Sequence, residues 1–389
     1  MNSQVIRFAA YFGAFYLTLG VFLPYFPVWL EGRGISAEWI GWIGAAGYAG
    51  RLLVSPLGAR LSDRAKFQRR PIAALALVSL VAFIMHLPVS SPWPLLALAL
   101  LASAGFFGQI PLADAFAMRE SRAGAIPFGP VRAFGSAAFV LANFAAGALL
   151  DLTGSESVMV FVSTGAALIV LTAFALPNGK SEGEVPDRRI DWVQFGRMVR
   201  GPFGLALLAS ACVQGAHGFY YFFSAIAWAE MGHSQLIIGA LWATGVVIEI
   251  VFLWWSGKGI LARLTPAQLL GLGAAGSIIR WGFTALGPPL PVLFGLQLLH
   301  ALTFAATYLG FLRFAIDSIP ESHTATAQAV NSALSGGLVM ALAAAVSGYF
   351  YAWVGVGGFA LMLFPSIIGL IAAIALHRVS ALPQREKID

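Results

Sequence analysis

From Phe8 to Leu30 the chain reads FAAYFGAFYLTLGVFLPYFPVWL, without one charged side chain. About twenty apolar residues in a helix rising 1.5 Å per residue cross the ~30 Å hydrocarbon layer of a bilayer. The run is too long for the apolar core of a secretory signal and no cleavage site follows a short core, so it reads as a retained membrane helix. The same pattern recurs over 36–59, 71–89, 93–118, 130–151 and 157–176, and again over 202–228, 235–256, 266–286, 289–315, 324–352 and 357–377. The 389 residues are 59% hydrophobic and only 10% charged, against roughly 25% charged in soluble domains, and mean hydropathy is +0.82. Twelve crossings use up nearly all of that length, so no sizeable soluble domain fits beside them.

The predicted fold is an all-α membrane protein of twelve transmembrane helices in two pseudo-symmetric six-helix bundles. Residues 1–177 form the first bundle, 178–200 a cytoplasmic linker, 201–380 the second bundle and 381–389 a cytoplasmic tail. The linker carries Lys180, Glu182, Glu184, Asp187, Arg188, Arg189 and Asp191, a composition that cannot pack into a core. Its end, Trp192 to Met198, mixes apolar and basic residues as a segment lying along the headgroups would. Lysine and arginine resist translocation and gather in cytoplasmic loops. With both termini inside, of the 23 such residues only Arg33 falls outside and Arg51, Arg132 and Arg280 fall within helices, leaving nineteen in the cytoplasm. The net charge of +6 is therefore loop charge and not a nucleic-acid-binding face. The single cysteine, Cys212, excludes an intramolecular disulfide and a cysteine-rich metal site.

The halves resemble one another. Trp29-Leu30-Glu31 corresponds to Trp228-Ala229-Glu230 and Ile40-Gly41 to Ile238-Gly239 at nearly the same offset, a register that sets Arg51 opposite Glu249. Two related six-helix bundles suit a carrier that holds its substrate between them near the midplane.

Charges inside such helices are expensive, roughly 3 kcal/mol or more for a lone one at mid-bilayer. Arg51, Asp114, Arg132, Glu249 and Arg280, with His217 and His300, are expected to face a polar cavity, although ion pairs that merely fix helix packing would account for them too. Three arginines against two carboxylates leave a formal +1, which favours an anionic substrate. Arg132 is the first candidate to hold a carboxylate, because a guanidinium stays charged and donates two parallel hydrogen bonds. Glu249 is a candidate proton carrier, His217 and His300 are alternative carriers or substrate donors, and the residues by themselves do not rank the three. Phe139, on the same helical face as Arg132, and Tyr220 and Tyr221 are candidate stacking partners for substrate. Gly336-Gly337 is a candidate bend. No nucleophile–base arrangement, histidine pair at metal spacing or phosphate-binding glycine loop is present. The chain is therefore expected to have no catalytic residue, metal or organic cofactor, and to be driven by an ion gradient.

With the 6+6 repeat and the loop Leu61-Ser62-Asp63-Arg64, the chain resembles the major facilitator superfamily over its whole length. Asp114-Ala115-Phe116 followed by Arg132-Ala133-Phe134-Gly135 is similar to the lactose-permease-like branch, in which the acid and the arginine form the N-domain part of the substrate site. Gln214-Gly215-Ala216-His217, Tyr220-Tyr221, Phe223-Ser224-Ala225-Ile226, Gly245-Val246-Val247-Ile248-Glu249, Arg280-Trp281-Gly282 and Leu299-His300 resemble the phenylpropionate permease group within that branch. The resemblance implies a conformational role for Asp63 and Arg64 and places Arg280 and His300 in the substrate and coupling network. It departs at Thr303, where the branch has an acidic proton site, which moves the expected proton to Glu249, with Asp114 second. It departs also at Phe139, where the galactoside carrier has a tryptophan. The expectation is a monomeric secondary active importer of the inner membrane that carries a proton together with a small organic acid, an aromatic one such as a phenylpropionate. A symporter of neutral nucleosides or sugars, a proton-linked drug exporter and a non-transporting receptor are the competing readings.

Overall fold

In lipid every backbone N–H and C=O must find its partner within the protein, and a helix pairs them within its own segment. The computed structural model describes residues 3–64, 67–179 and 192–381; among them the chain is helical, with no strand. Among the described residues, eight stretches are long and apolar enough to cross a bilayer: Ser3–Gly32, Arg69–His86, Pro92–Arg122, Phe128–Thr153, Ser155–Ala175, Gln235–Trp255, Leu290–Ser318 and Thr326–Ser380. The helices Ala37–Arg64 and Pro266–Thr284 are also of spanning length but less apolar, since they carry Arg51 and Arg280. The linker over 180–191 and the tail beyond Ala381 lie outside the described residues, while the end of the linker forms the helix Trp192–Val199.

Three of the predicted runs are interrupted. The run over 202–228 is two helices, Pro202–Gly215 and Gly218–Glu230, separated at Ala216 and His217. Glycine is a poor helix former, and here one stands on each side of the break. His217 closes the turn by donating its amide to Gln214 O at 3.1 Å. The run over 289–315 contains a π-helical turn, Ala301–Ala306, directly after His300. The run over 324–352 contains a second π turn, Leu334–Val339, at the expected bend Gly336-Gly337. π turns insert an extra residue into a helix and re-aim the side chains around it.

The chain divides into two compact units. One comprises Met1–Asp187 with Tyr221–Ala243 and Ala344–Gly355; the other comprises Arg188–Tyr220 with Thr244–Ala343 and Val356–Asp389. In the first unit, Ser3–Gly32 packs on Phe128–Thr153 and Val158–Ala175, and Pro92–Arg122 packs on Ala37–Arg64 and Arg69–His86. The Asp151 carboxylate accepts the backbone N–H groups of Gln235 at 2.7 Å and Leu236 at 3.1 Å, capping the start of Gln235–Trp255 where the helix dipole favours an anion. Tyr25 donates its hydroxyl to the Gln235 carbonyl at 2.9 Å. Arg33 binds Glu156 at 2.8 Å and the Leu87 carbonyl at 3.0 Å, tying three helix ends together. The core of the second unit is built from Phe203, Leu207, Leu270, Phe311, Phe314 and Leu376.

Ser3–Gly32 and Phe128–Thr153 meet backbone to backbone at Gly20. A Cβ there would lie 2.7 Å from the Phe139 carbonyl oxygen and 2.8 Å from Ala142 Cβ, atoms that cannot turn aside. Gly20→Val is expected to destabilise the protein by about 1–3 kcal/mol, the usual cost of overpacking. A lowered unfolding temperature in detergent is the measurement; an unchanged one would refute the close approach.

Candidate functional site

Each unit holds a cluster of ionisable side chains within its helices. In the first, Asp114 stands on Pro92–Arg122 and Arg132 in the first turns of Phe128–Thr153. Arg132 Nε lies 3.3 Å from Asp114 Oδ1, and both side chains are about 30% exposed, at 31% and 29%. Arg132 Nη2 also donates to the Tyr16 hydroxyl, and its guanidinium lies over the Tyr16 ring at 4.3 Å and the Phe12 ring at 5.7 Å. Ser3–Gly32 places Phe12 and Tyr16 one turn apart, so both rings face the same cation. The Asp114 and aromatic contacts hold the guanidinium in one orientation while its partial exposure leaves one side open to a ligand.

The second cluster is deeper. Arg280 is fully buried. Its Nη1 lies 2.9 Å from His300 Nδ1 and 3.0 Å from Thr303 Oγ1, and its Nη2 lies 2.8 Å from Gln297 Oε1. His217 Nε2 lies 3.2 Å from Thr303 Oγ1 and 3.5 Å from Arg280 Nη1. The Arg280 guanidinium stacks on Tyr220 at 4.8 Å and Trp281 at 4.5 Å. On the far side of the imidazole, His300 Nε2 lies 3.6 Å from Glu249 Oε2.

These contacts assign protons. A guanidinium only donates, so His300 Nδ1 accepts and its proton sits on Nε2, facing Glu249. His217 Nδ1 lies 3.0 Å from the Gln214 carbonyl, which only accepts, so that nitrogen carries the proton and Nε2 accepts. Both imidazoles are therefore neutral in this arrangement, and Glu249 reaches Arg280 through one of them. The broken helix at His217 and the π turn after His300 supply this geometry, the first by turning His217 inward and the second by bringing Thr303 Oγ1 to Arg280.

Of the residues expected at a site, Asp114 and Arg132 come together in the first unit, and Glu249, His217, Tyr220, Arg280 and His300 in the second. Phe139 is buried, its carbonyl against Gly20. Tyr221 stacks on Trp242, with centroids 5.8 Å apart, in the first unit. The helix Ala37–Arg64 runs through Asp63 and Arg64, whose side chains lie outside those described. Thr303, at the position where the resemblance implied an acidic residue, joins the second cluster, and Tyr16 and Gln297 complete the clusters without having been expected there. Gln297 is legible after the fact as a polar residue one turn before His300; nothing in the spacing marked Tyr16.

Comparison with known proteins agrees with this architecture. The model of the MFS_1 like family matches residues 6–361. A probable 3-phenylpropionic acid transporter of Escherichia coli (strain K12) is 32% identical over 357 residues, covering 90% of this chain and 91% of that protein. The maltose permease of Geobacillus stearothermophilus is 25% identical, covering 95% and 93%. Among solved structures, the nucleoside transporter NupG superposes with a TM-score of 0.79 at 16% identity over 98% of this chain and 100% of that one, a likeness of fold. The chain is a member of the MFS_1 like family, a multi-pass membrane transporter of the major facilitator type and not an enzyme.

Proposed function

We propose that this transporter is a proton-coupled symporter that imports a small aromatic organic acid, such as a phenylpropionate, across the inner membrane by alternating access. On this reading twelve crossings form two six-helix bundles with both termini in the cytoplasm, the monomer is the working unit, and the proton is the coupling ion. The observation that carries the reading is the Glu249–His300–Arg280 relay in the second unit. The substrate named for the Escherichia coli relative supports the choice of acid.

The relay couples proton to anion by electrostatics. While Glu249 is ionised, the relay and Arg280 are together neutral, with both imidazoles uncharged. Protonation of Glu249 removes the anion and leaves the carrier with one excess positive charge, which the incoming carboxylate on Arg132 restores to zero. Proton and acid therefore each favour the binding of the other, and linkage makes the effect reciprocal. Arg132, steadied by Asp114 and Tyr16, is the carboxylate partner in the first unit, where its planar fork and permanent charge suit it to the task. Loaded and empty carriers reorient, whereas the carrier holding only one of the two ligands is disfavoured by its uncompensated charge.

The sign of the linkage is testable. In wild type, affinity for 3-phenylpropionate is expected to fall as pH rises and Glu249 ionises. Glu249→Gln, which mimics the protonated acid, holds high affinity at every pH and loses pH-gradient-driven accumulation in proteoliposomes, while equilibrium exchange, which needs no net proton movement, persists. Accumulation by this variant at the wild-type level would sink the assignment.

Arg132→Ala is expected to weaken binding of the acid by roughly ten- to a hundredfold, the worth of one charged hydrogen bond. Isothermal titration reads this directly. The competing reading, a neutral sugar as substrate, draws on the maltose permease relative. Inhibition of uptake by maltose but not by 3-phenylpropionate would establish it instead.

A further inference from the structure

In the second unit, the helix break at His217 and the two π turns meet on the last turn of Pro202–Gly215. The Gln214 side chain donates from Nε2 to the Phe304 carbonyl at 3.2 Å, inside the π turn Ala301–Ala306. That carbonyl also takes the Thr307 amide three residues on, so both of its acceptor sites are used. The Gln214 carbonyl accepts twice from His217, from the amide at 3.1 Å and from Nδ1 at 3.0 Å. One residue thus binds both backbone features that carry the imidazoles of the relay. Beside it, Gly215 lies directly against Val339 at the end of the π turn Leu334–Val339. The Phe304 ring stacks on His300 with centroids 5.3 Å apart and meets His217 edge-on at 6.0 Å. Gly273, two turns before Arg280 on Pro266–Thr284, gives the same π turn a close approach to that helix, since a Cβ there would lie 3.0 Å from the Leu302 carbonyl oxygen.

We propose that Gln214 is the positioning residue of the relay, holding His300 and Thr303 in register with Arg280 from a neighbouring helix. What the relay does rests on the symporter reading above; how it is held is read from the second unit alone. Departures from regular helix occur where a side chain enters the backbone hydrogen-bond ladder, and Gln214 enters it at the turn that follows His300. Thr303 immediately precedes Phe304 in that turn, and its hydroxyl lies 3.0 Å from Arg280 Nη1 and 3.2 Å from His217 Nε2. Any shift of the Phe304 carbonyl therefore carries with it the hydroxyl that joins His217 to the arginine. The chemistry of the side chain suits the place. A neutral amide donates to a carbonyl without adding a charge to the shell of Arg280, whereas an ionised carboxylate would add one and could not donate.

Gln214→Met keeps the length of the side chain and removes its donor. In full-length protein, the rise in the dissociation constant of 3-phenylpropionate from mildly acidic to mildly alkaline pH should shrink about threefold or more against wild type, because the ring between Glu249 and Arg280 is no longer held. At the acidic end the constant itself should stay within about twofold of wild type, since the carboxylate partner Arg132 lies in the first unit. Nitrogen-15 NMR of histidine-labelled protein reads the positioning without reference to transport. The His300 Nδ1 resonance, assigned by its loss in His300→Gln, should move in Gln214→Met toward that of an imidazole nitrogen with no donor. Ser210→Ala, a change at a buried residue one turn earlier on the same helix, should leave both readouts as in wild type. Gln214→Leu repeats the measurements should Gln214→Met fold poorly. A wild type whose affinity ignores pH, with a His300 resonance that moves in Gln214→Met, overturns the symporter reading and keeps the positioning role. An unmoved resonance overturns the positioning role and leaves the symporter reading standing. Where wild-type affinity follows pH, a moved resonance with an unchanged pH profile also overturns the role, as does an equal effect of Ser210→Ala.

Discussion

A buried guanidinium governs this structure. Arg280 is wholly enclosed, cannot lose its proton and cannot reach water, so the surrounding chain must supply acceptors. It does so from three separate places: His300 and Thr303 beside the π turn, Gln297 one turn earlier, and His217 at a helix break. Two departures from regular helix lie in that shell. His217 sits at the helix break and Thr303 in the π turn, so two of the four acceptors come from irregular backbone.

The same requirement fixes the chemistry. Because Arg280 donates to His300 Nδ1, the imidazole must present its proton to Glu249. A carboxylate so placed senses the arginine through a neutral ring that passes hydrogen-bond polarity and no net charge. The first unit solves the equivalent problem differently. Its arginine is partly exposed, lies against a carboxylate and sits on two aromatic faces. One cluster is a buried relay and the other a half-open clamp. On the symporter reading proposed above, the relay would be the proton-sensitive element and the clamp the carboxylate-holding one.

The aromatic content has a less uniform meaning than composition suggests. Tyr220 and Trp281 stack on Arg280 and belong to the relay, Tyr221 pairs with Trp242, and Phe139 is taken up in packing beside Gly20. The rings that enclose open space are others, chiefly Phe22, Phe26, Tyr48, Phe107 and Phe222. Neighbours in sequence on one helix, such as Tyr220, Tyr221 and Phe222, point about 100° apart and so serve three different surroundings.

The amino-acid sequence by itself determined the membrane-spanning helical class, because uncharged runs of spanning length admit no other backbone arrangement in lipid. It also marked Asp114, Arg132, Glu249, Arg280 and His300, because an ionisable residue in such a run is costly enough to need a reason. Tertiary structure alone decided which charge meets which: that Glu249 addresses Arg280 through His300, that Tyr16 joins Arg132, and that five scattered rings line one pocket. Those pairings depend on where helices break and on how closely glycines such as Gly20 and Gly44 let them approach, and both are settled by packing between segments far apart in the chain.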